Sequence, residues 1–214
     1  MKRVVVLVAP ALLVALCVSQ VQANRLIVMP TGSVLSSGAV KAEAAFRSSD
    51  GTSVITPKDA DQINWLNIGI SRFELDARRL VSSDGTDKDT MGVEAGVLPE
   101  TLITPAVGIG VRDISDEVER GYYLAVTKTV PLTDTVPLPI HDVRIHGGFG
   151  LHGELDGLFF GAEVGLPMGL SISAEVVDSN LNASIGWSPI SKISLKAYSL
   201  DSEIFYGADV KIAF

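Results

Sequence analysis

Beyond Ala23 the chain never runs through 18 consecutive apolar residues; it alternates instead. A helix that crosses a bilayer needs about 20 apolar residues in a row, so no helical span is available. What recurs is a period of two, in segments rich in Gly, Ser and β-branched residues and bounded by turn residues. That period describes strands with two unlike faces. The last segment shows it most clearly: Tyr206, Ala208, Val210, Ile212 and Phe214 fall on one face, and Gly207, Asp209, Lys211 and Ala213 on the other.

The same alternation is found upstream. Leu170, Ile172, Ala174 and Val176 oppose Ser171, Ser173 and Glu175, and Leu158, Phe160, Ala162, Val164 and Leu166 oppose Phe159, Gly161, Glu163 and Gly165. Leu181, Ala183, Ile185 and Trp187 oppose Asn182, Ser184 and Gly186. Val143, Ile145, Gly147, Phe149 and Leu151 oppose Asp142, Arg144, His146, Gly148 and His152. Val107, Ile109 and Val111 alternate with Gly108, Gly110 and Arg112, as do Met91, Val93, Ala95 and Val97 with Gly92, Glu94 and Gly96. Near the start, Val40, Ala42, Ala44 and Phe46 oppose Lys41, Glu43 and Arg47. Rougher segments at about 62–71, 73–82, 121–130 and 191–200 bring the total to twelve.

Twelve is even, which lets a single chain close a bacterial barrel with no edge left open and both termini on the periplasmic side. The expected fold is therefore all-β, an antiparallel up-and-down transmembrane β-barrel of about 12 strands, spanning residues 39–214. A soluble β-sandwich alternates too, with its apolar face buried against a second sheet. The polar face argues for the barrel, because small residues and charges of both signs interlock in a restricted lumen. That face carries Lys41, Glu43, Arg47, Glu74, Asp76, Arg78, Glu94, Arg112, Arg144, Glu163, Glu175, Asp209 and Lys211. Unpaired charge in such a space is costly, so a paired network is expected. Phe46, Phe73, Tyr122, Trp187, Tyr206 and Phe214 lie near strand ends, where a girdle at the water interfaces would put them.

Ahead of the strands, Lys2 and Arg3 precede an apolar run from Val4 to Val18, and Val21-Gln22-Ala23 supplies small residues for cleavage. This is the pattern of a secretory signal peptide, residues 1–23, cut near Ala23. The cut leaves 15 basic against 25 acidic side chains, a net charge of −10, and removes Cys17, the one cysteine. So acidic a chain does not suit a nucleic-acid partner, and without cysteine it has neither disulfides nor thiolate metal sites. Residues 24–38 read as a periplasmic leader, a lid, or a plug entering the barrel.

The connections follow a barrel's asymmetry in part. Returns at Arg72, Pro167-Met168 and Ser188-Pro189-Ile190 fall on the periplasmic side and are short, while those at 48–61 and 82–90 are longer and fall outside. Pro131 to Ile140 is an exception, a long periplasmic connection with three prolines.

The opening Arg25-Leu26-Ile27-Val28-Met29-Pro30-Thr31 with Gly38, then LNIGISRFELDARR, PAVGIGVRDI, YYLAVTKTV, LDGLFFGAEV and LSISAEVVDSNLNASIGWSPISKISLKAY, together resemble YjbH-type outer-membrane barrel proteins. The resemblance implies association with exopolysaccharide production, in a chain that supplies a single short barrel. The final strand also resembles the terminal strand of Gram-negative outer-membrane proteins. By that likeness Tyr206, Val210, Ile212 and Phe214 form the signal read by the barrel-assembly machinery.

Chemistry finds little purchase. His146 and His152 share the lumen face of one expected strand, near Arg144 and Glu163, and a Ser/His/acid set can be drawn with Ser171 or Ser173. Alternation produces such coincidences easily, and nothing fixes a nucleophile beside a base. Residues six apart on a strand lie about 20 Å apart, too far to share a metal. Asp50-Gly51, Asp84-Gly85 and Asp156-Gly157 read as turns and not as calcium loops.

No catalytic residue, cofactor or metal is therefore expected. The expected partners are outer-membrane lipid, the assembly machinery and possible polysaccharide or export components. Three functions stand: an export-associated or structural barrel in an exopolysaccharide pathway, a small passive diffusion pore, and a soluble periplasmic binding module.

Overall fold

The computed structural model describes residues 25–48, 59–132 and 140–214. The expected signal peptide lies outside the described residues, as do most of the connection at 48–61 and the prolines at 137 and 139. The described chain forms β1 (Ala39–Arg47), β2 (Gln62–Ile70), β3 (Phe73–Val81), β4 (Lys88–Leu98), β5 (Ala106–Arg112) and β6 (Gly121–Pro131). It continues with β7 (Asp142–Leu151), β8 (Gly157–Gly165), β9 (Leu170–Val177), β10 (Asn180–Ile190), β11 (Ile193–Leu200) and β12 (Glu203–Ala213). Each strand pairs antiparallel with its sequence neighbours, and β1 also pairs with β12, which closes the barrel. The sheet closes on itself, so the sandwich alternative is not the fold.

Alternation becomes inside and outside. Leu158, Phe160, Ile172 and Ile185 are half exposed or more on the outer wall, whereas Phe159, Ser173 and Glu175 between them are buried. Tyr206, Val210 and Ile212 also face outward, and Phe214 is exposed beyond the end of β12. We call the end holding the start of β1 and Phe214 the inner end. Phe46 and Tyr206 are directly paired near the outer end, while Phe73 and Trp187 lie toward the inner one, all four with their rings outward.

Local chemistry sets the returns. The outer hairpins at Asp178-Ser179 and Asp201-Ser202 have both residues at positive φ, the backbone that matches a two-residue turn to the strand twist. Asp tolerates that conformation better than most side chains.

The lumen is not lined by small and charged residues alone. Its outer half holds an apolar cluster of Ile63, Trp65, Leu80, Tyr198, Leu200 and Phe205, joined by Ile27 and Val28. A second cluster gathers Met29, Tyr123, Leu155, Phe159 and Val177. A 12-strand ring is wide enough that lumen charges alone do not fill it, and close packing completes the interior.

Candidate functional site

Residues 25–35 lie inside the barrel, and Ser36, Ser37 and Gly38 are exposed at its inner end. Arg25, Ile27, Val28, Met29 and Leu35 are all buried there. The segment turns tightly, with the Leu26 N–H donating to the Met29 carbonyl at 2.9 Å and Arg25 bridging Pro30. A turn of this kind leaves N–H groups without internal partners, and Glu175 accepts three of them, from Ile27, Val28 and Met29 at 3.0, 3.0 and 3.1 Å. The Asn182 amide donates to the same carboxylate at 3.0 Å.

Further along, Gly32 donates to the Thr127 hydroxyl at 2.8 Å and Leu35 to Glu74 at 2.6 Å. The Val28 carbonyl accepts from Arg112 at 2.7 Å. The wall yields space where the segment passes: a Cβ on Gly161 would sit 2.7 Å from the Met29 methyl and 2.8 Å from Leu26.

The expected lumen charges divide into separate groups. Around Glu43, Arg25 pairs at 2.7 Å, Lys196 at 3.2 Å and Lys41 at 3.5 Å, and Lys196 reaches Asp209 at 3.1 Å. The Arg25 guanidinium also lies 3.7 Å over the Trp65 ring. Carboxylates out of water need such partners, and here several cations share two acids. Arg144 pairs with Asp142 at 3.1 Å and approaches Glu163 at 3.8 Å. Arg47 pairs with Glu203 at 2.9 Å near the outer end. Glu74 faces Glu94 across β3 and β4 with no cation in contact among the described residues, and Glu94 accepts from the Tyr123 hydroxyl at 3.1 Å. Asp76 crowds Gly92, and Lys211 borders the cavity described below.

At the outer mouth, two connections fold inward. In the turn at Gly153–Leu155, Leu155 enters the second apolar cluster while Glu154 takes both arms of Arg78 at 2.7 and 2.8 Å. Arg112 stands 3.8 Å from the same carboxylate. Burial pushes the Glu154 carboxyl up, but Arg78 beside it prevails and holds it below the usual range. In the other connection, Asp113 accepts the N–H groups of Glu117, Val118 and Glu119 at 3.1, 2.6 and 3.0 Å. Burial works against its charge, yet those donors and the Ser115 hydroxyl lower its pKa. So organised, the loop lays Val118 on the outer apolar cluster.

Sequence reasoning missed Arg25, Glu154 and Lys196. Lys196 was legible, since it shares a strand face with Ser194 and Tyr198, but Glu154 sits in a loop that carries no periodicity.

The histidines need a correction. His152 lies beyond the end of β7, exposed and at φ 64°, because the chain turns there toward Gly153. His146 is buried and its Nδ1 meets the Thr127 hydroxyl at 2.9 Å, while Ser173 pairs with the Ser184 hydroxyl at 2.6 Å. Neither bond links the two residues into a serine–histidine pair.

Toward the inner end the segment leaves a cavity of about 330 Å³ between itself, β1 and β8–β12. It extends from the Ser191-Lys192 turn to Tyr198 and Ser184, and Arg25, Lys41, Lys196 and Asp209 line its charged wall.

Compared with protein-family models and with curated proteins, the chain matches none. Among solved structures it is similar to a KdgM porin in complex with disordered oligogalacturonate, at TM-score 0.53 and 11% identity over 82% of this chain and 99% of that one. Another structure of the KdgM porin gives TM-score 0.51 and 12% identity over the same shares. At such identity the likeness is one of fold: a closed antiparallel, porin-like barrel.

Proposed function

We propose that this chain is an outer-membrane β-barrel whose lumen is closed at rest, with a structural or export-associated role in an exopolysaccharide pathway and no enzymatic activity. The observation that carries closure is the filling of the lumen. Met29, Leu35, Ile63, Leu80, Leu155, Phe159 and Phe205 are each under 2% exposed. A water-filled channel wets the side chains on its wall, whereas these are packed. The outward band of Leu158, Phe160, Ile172, Ile185 and their neighbours supports a lipid solvent, since a soluble monomer rarely exposes so continuous an apolar surface.

The polysaccharide setting rests on the YjbH-type resemblance, and the oligogalacturonate bound by one porin of similar fold is in keeping with it. Tyr206, Val210, Ile212 and Phe214 are the residues the assembly machinery would read. Fractionation after export tests the location: the protein should partition with outer membranes, require detergent, and migrate differently on gels before and after heating. Solubility of the mature chain without amphiphile would end the proposal.

A passive diffusion pore is the second reading, favoured by the porin fold of its neighbours. It predicts steady conductance of the intact protein in planar bilayers. The closed reading predicts none until residues 25–38 are removed.

A further inference from the structure

With Phe214, the most exposed large apolar side chains among the described residues are Leu102, at 93%, and Ile103, at 90%. They tip the connection between β4 and β5, residues 99–105, which turns at the inner end because β4 runs toward it. Val97, Leu98 and Pro99 are exposed just before them. Turns that project into water are commonly built from Gly, Asn, Asp and Ser. A Leu-Ile pair at such a tip holds apolar surface in water, which is unfavourable unless something covers it.

The turn is closed on itself and fastened to the wall. The Thr101 N–H donates to the Thr104 carbonyl at 3.0 Å, and the Thr101 hydroxyl accepts from the N–H groups of Ile103 and Thr104 at 3.2 and 2.9 Å. Lys128 donates from Nζ to the carbonyls of Thr101 and Leu102 at 2.6 and 3.1 Å. Glu100 stands 3.6 Å from the same ammonium and accepts from the N–H and hydroxyl of Thr129 at 2.6 and 3.1 Å. Most polar groups of the turn's backbone therefore have partners within the protein, which lowers the cost of taking the tip out of water.

Lys128 decides on which side of the barrel the turn lies. It shares a strand face with Tyr122, Leu124 and Val130, all exposed on the outer wall, whereas Tyr123, Ala125 and Thr127 are buried. The turn is thus held on the outside of β6 and not across the mouth of the lumen. Val130 and its cross-strand partner Val143 lie nearer the inner end than Lys128, so the anchor point falls inside the edge of the apolar band. A lone ammonium is unfavourable there, and Glu100 with the two carbonyls offsets it.

We propose that Leu102 and Ile103 insert at the boundary of headgroups and acyl chains in the phospholipid leaflet at the inner end, as a lipid anchor beyond the strands. The inference rests on the membrane reading above. Continuity favours phospholipid over a protein partner. Val97 and Leu98 carry exposed apolar surface from the tip to the outer wall of β4, and the one carboxylate between, Glu100, is turned onto Thr129.

The chain has two tryptophans, Trp65 and Trp187. Full-length protein with Trp65→Phe, Trp187→Phe and Ile103→Trp therefore has its one indole at the tip. In vesicles of phosphatidylethanolamine and phosphatidylglycerol, lipids brominated in their acyl chains should quench that indole by about twofold or more, and aqueous iodide should barely quench it. Leu102→Trp in the same background should behave alike. A heat-modifiability gel checks that each variant is folded.

Quenching by iodide but not by bromine at both positions would place the tip in water and overturn the proposal. Shielding from both quenchers would mean that protein covers the tip, and would overturn it equally. The single variant Trp65→Phe separates this failure from that of the membrane reading, since its remaining indole, Trp187, faces outward on the wall. Bromine quenching of Trp187 without quenching at the tip sinks only the anchor, whereas quenching of neither sinks the lipid-facing wall itself.

Discussion

The carboxylate of Glu175, on β9, accepts the backbone N–H of Val28 at 3.0 Å, and on either side of it those of Ile27 and Met29. One inward-facing wall residue thereby seats the whole N-terminal turn. Glu175→Gln replaces one acceptor oxygen with an amide that faces donors, so seating should weaken by about 1.5–3 kcal/mol. Limited proteolysis of the folded protein should then cut near Arg25 in the variant and spare the native chain. Equal resistance in both would mean that the segment is held by its apolar contacts alone.

Glu154 and Arg78 form a buried two-armed pair that ties an outer loop into the lumen. Removing one partner leaves a charge buried alone, a loss of about 3–5 kcal/mol. Glu154→Gln should therefore lower the temperature of the heat-induced gel shift clearly. Glu154→Gln combined with Arg78→Met should recover part of that loss, which a double-variant cycle would measure.

Gly161 and Gly147 are neighbouring-strand glycines with opposite surroundings. A Cβ at Gly161 meets Met29, Leu26 and, at 3.1 Å, the Ala174 carbonyl, whereas one at Gly147 meets nothing nearer than the Phe160 ring at 3.4 Å. Gly161→Val should displace the inward segment at a cost of about 1–3 kcal/mol and raise bilayer conductance above that of the native protein. Gly147→Ala should leave both stability and conductance unchanged.

Asp113 gives the outer loop a pH dependence. Folding lowers its pKa from the ordinary 3.8, so its contribution is present above 3.8 and is lost as pH falls through the lower folded value. Amide exchange at Val118 and Glu119, corrected for the intrinsic rate, should stay slow down to that range and speed up below it. In Asp113→Asn the protection should already be weak above that range, converge with that of the native chain below it, and show no such step.

The strand pattern was plain in the sequence because in this fold a side chain's face is decided by parity alone. Leu170 to Val176, or Tyr206 to Phe214, cannot face outward without sending Ser171, Glu175 or Asp209 inward. The rougher strands hid more. In β2 and β11, Ile63, Trp65, Tyr198 and Leu200 point inward, so the parity of apolar residues reverses near the outer end and the alternation blurs. Nothing in a two-residue period announces at what depth a lumen turns from charged to apolar.

Parity, turn residues and an even count of segments thus determined a closed antiparallel ring with one greasy wall and one mixed wall, since those are local properties of the backbone. Tertiary structure decided what fills the ring. Glu175 meets Val28 across 147 positions of chain, Arg78 meets Glu154 across 76, and Arg25 meets Glu43 across 18. Such pairs depend on how the closed strands stagger and on where a connecting segment folds back. Both are set by packing the whole interior at once, which no local window of residues encodes.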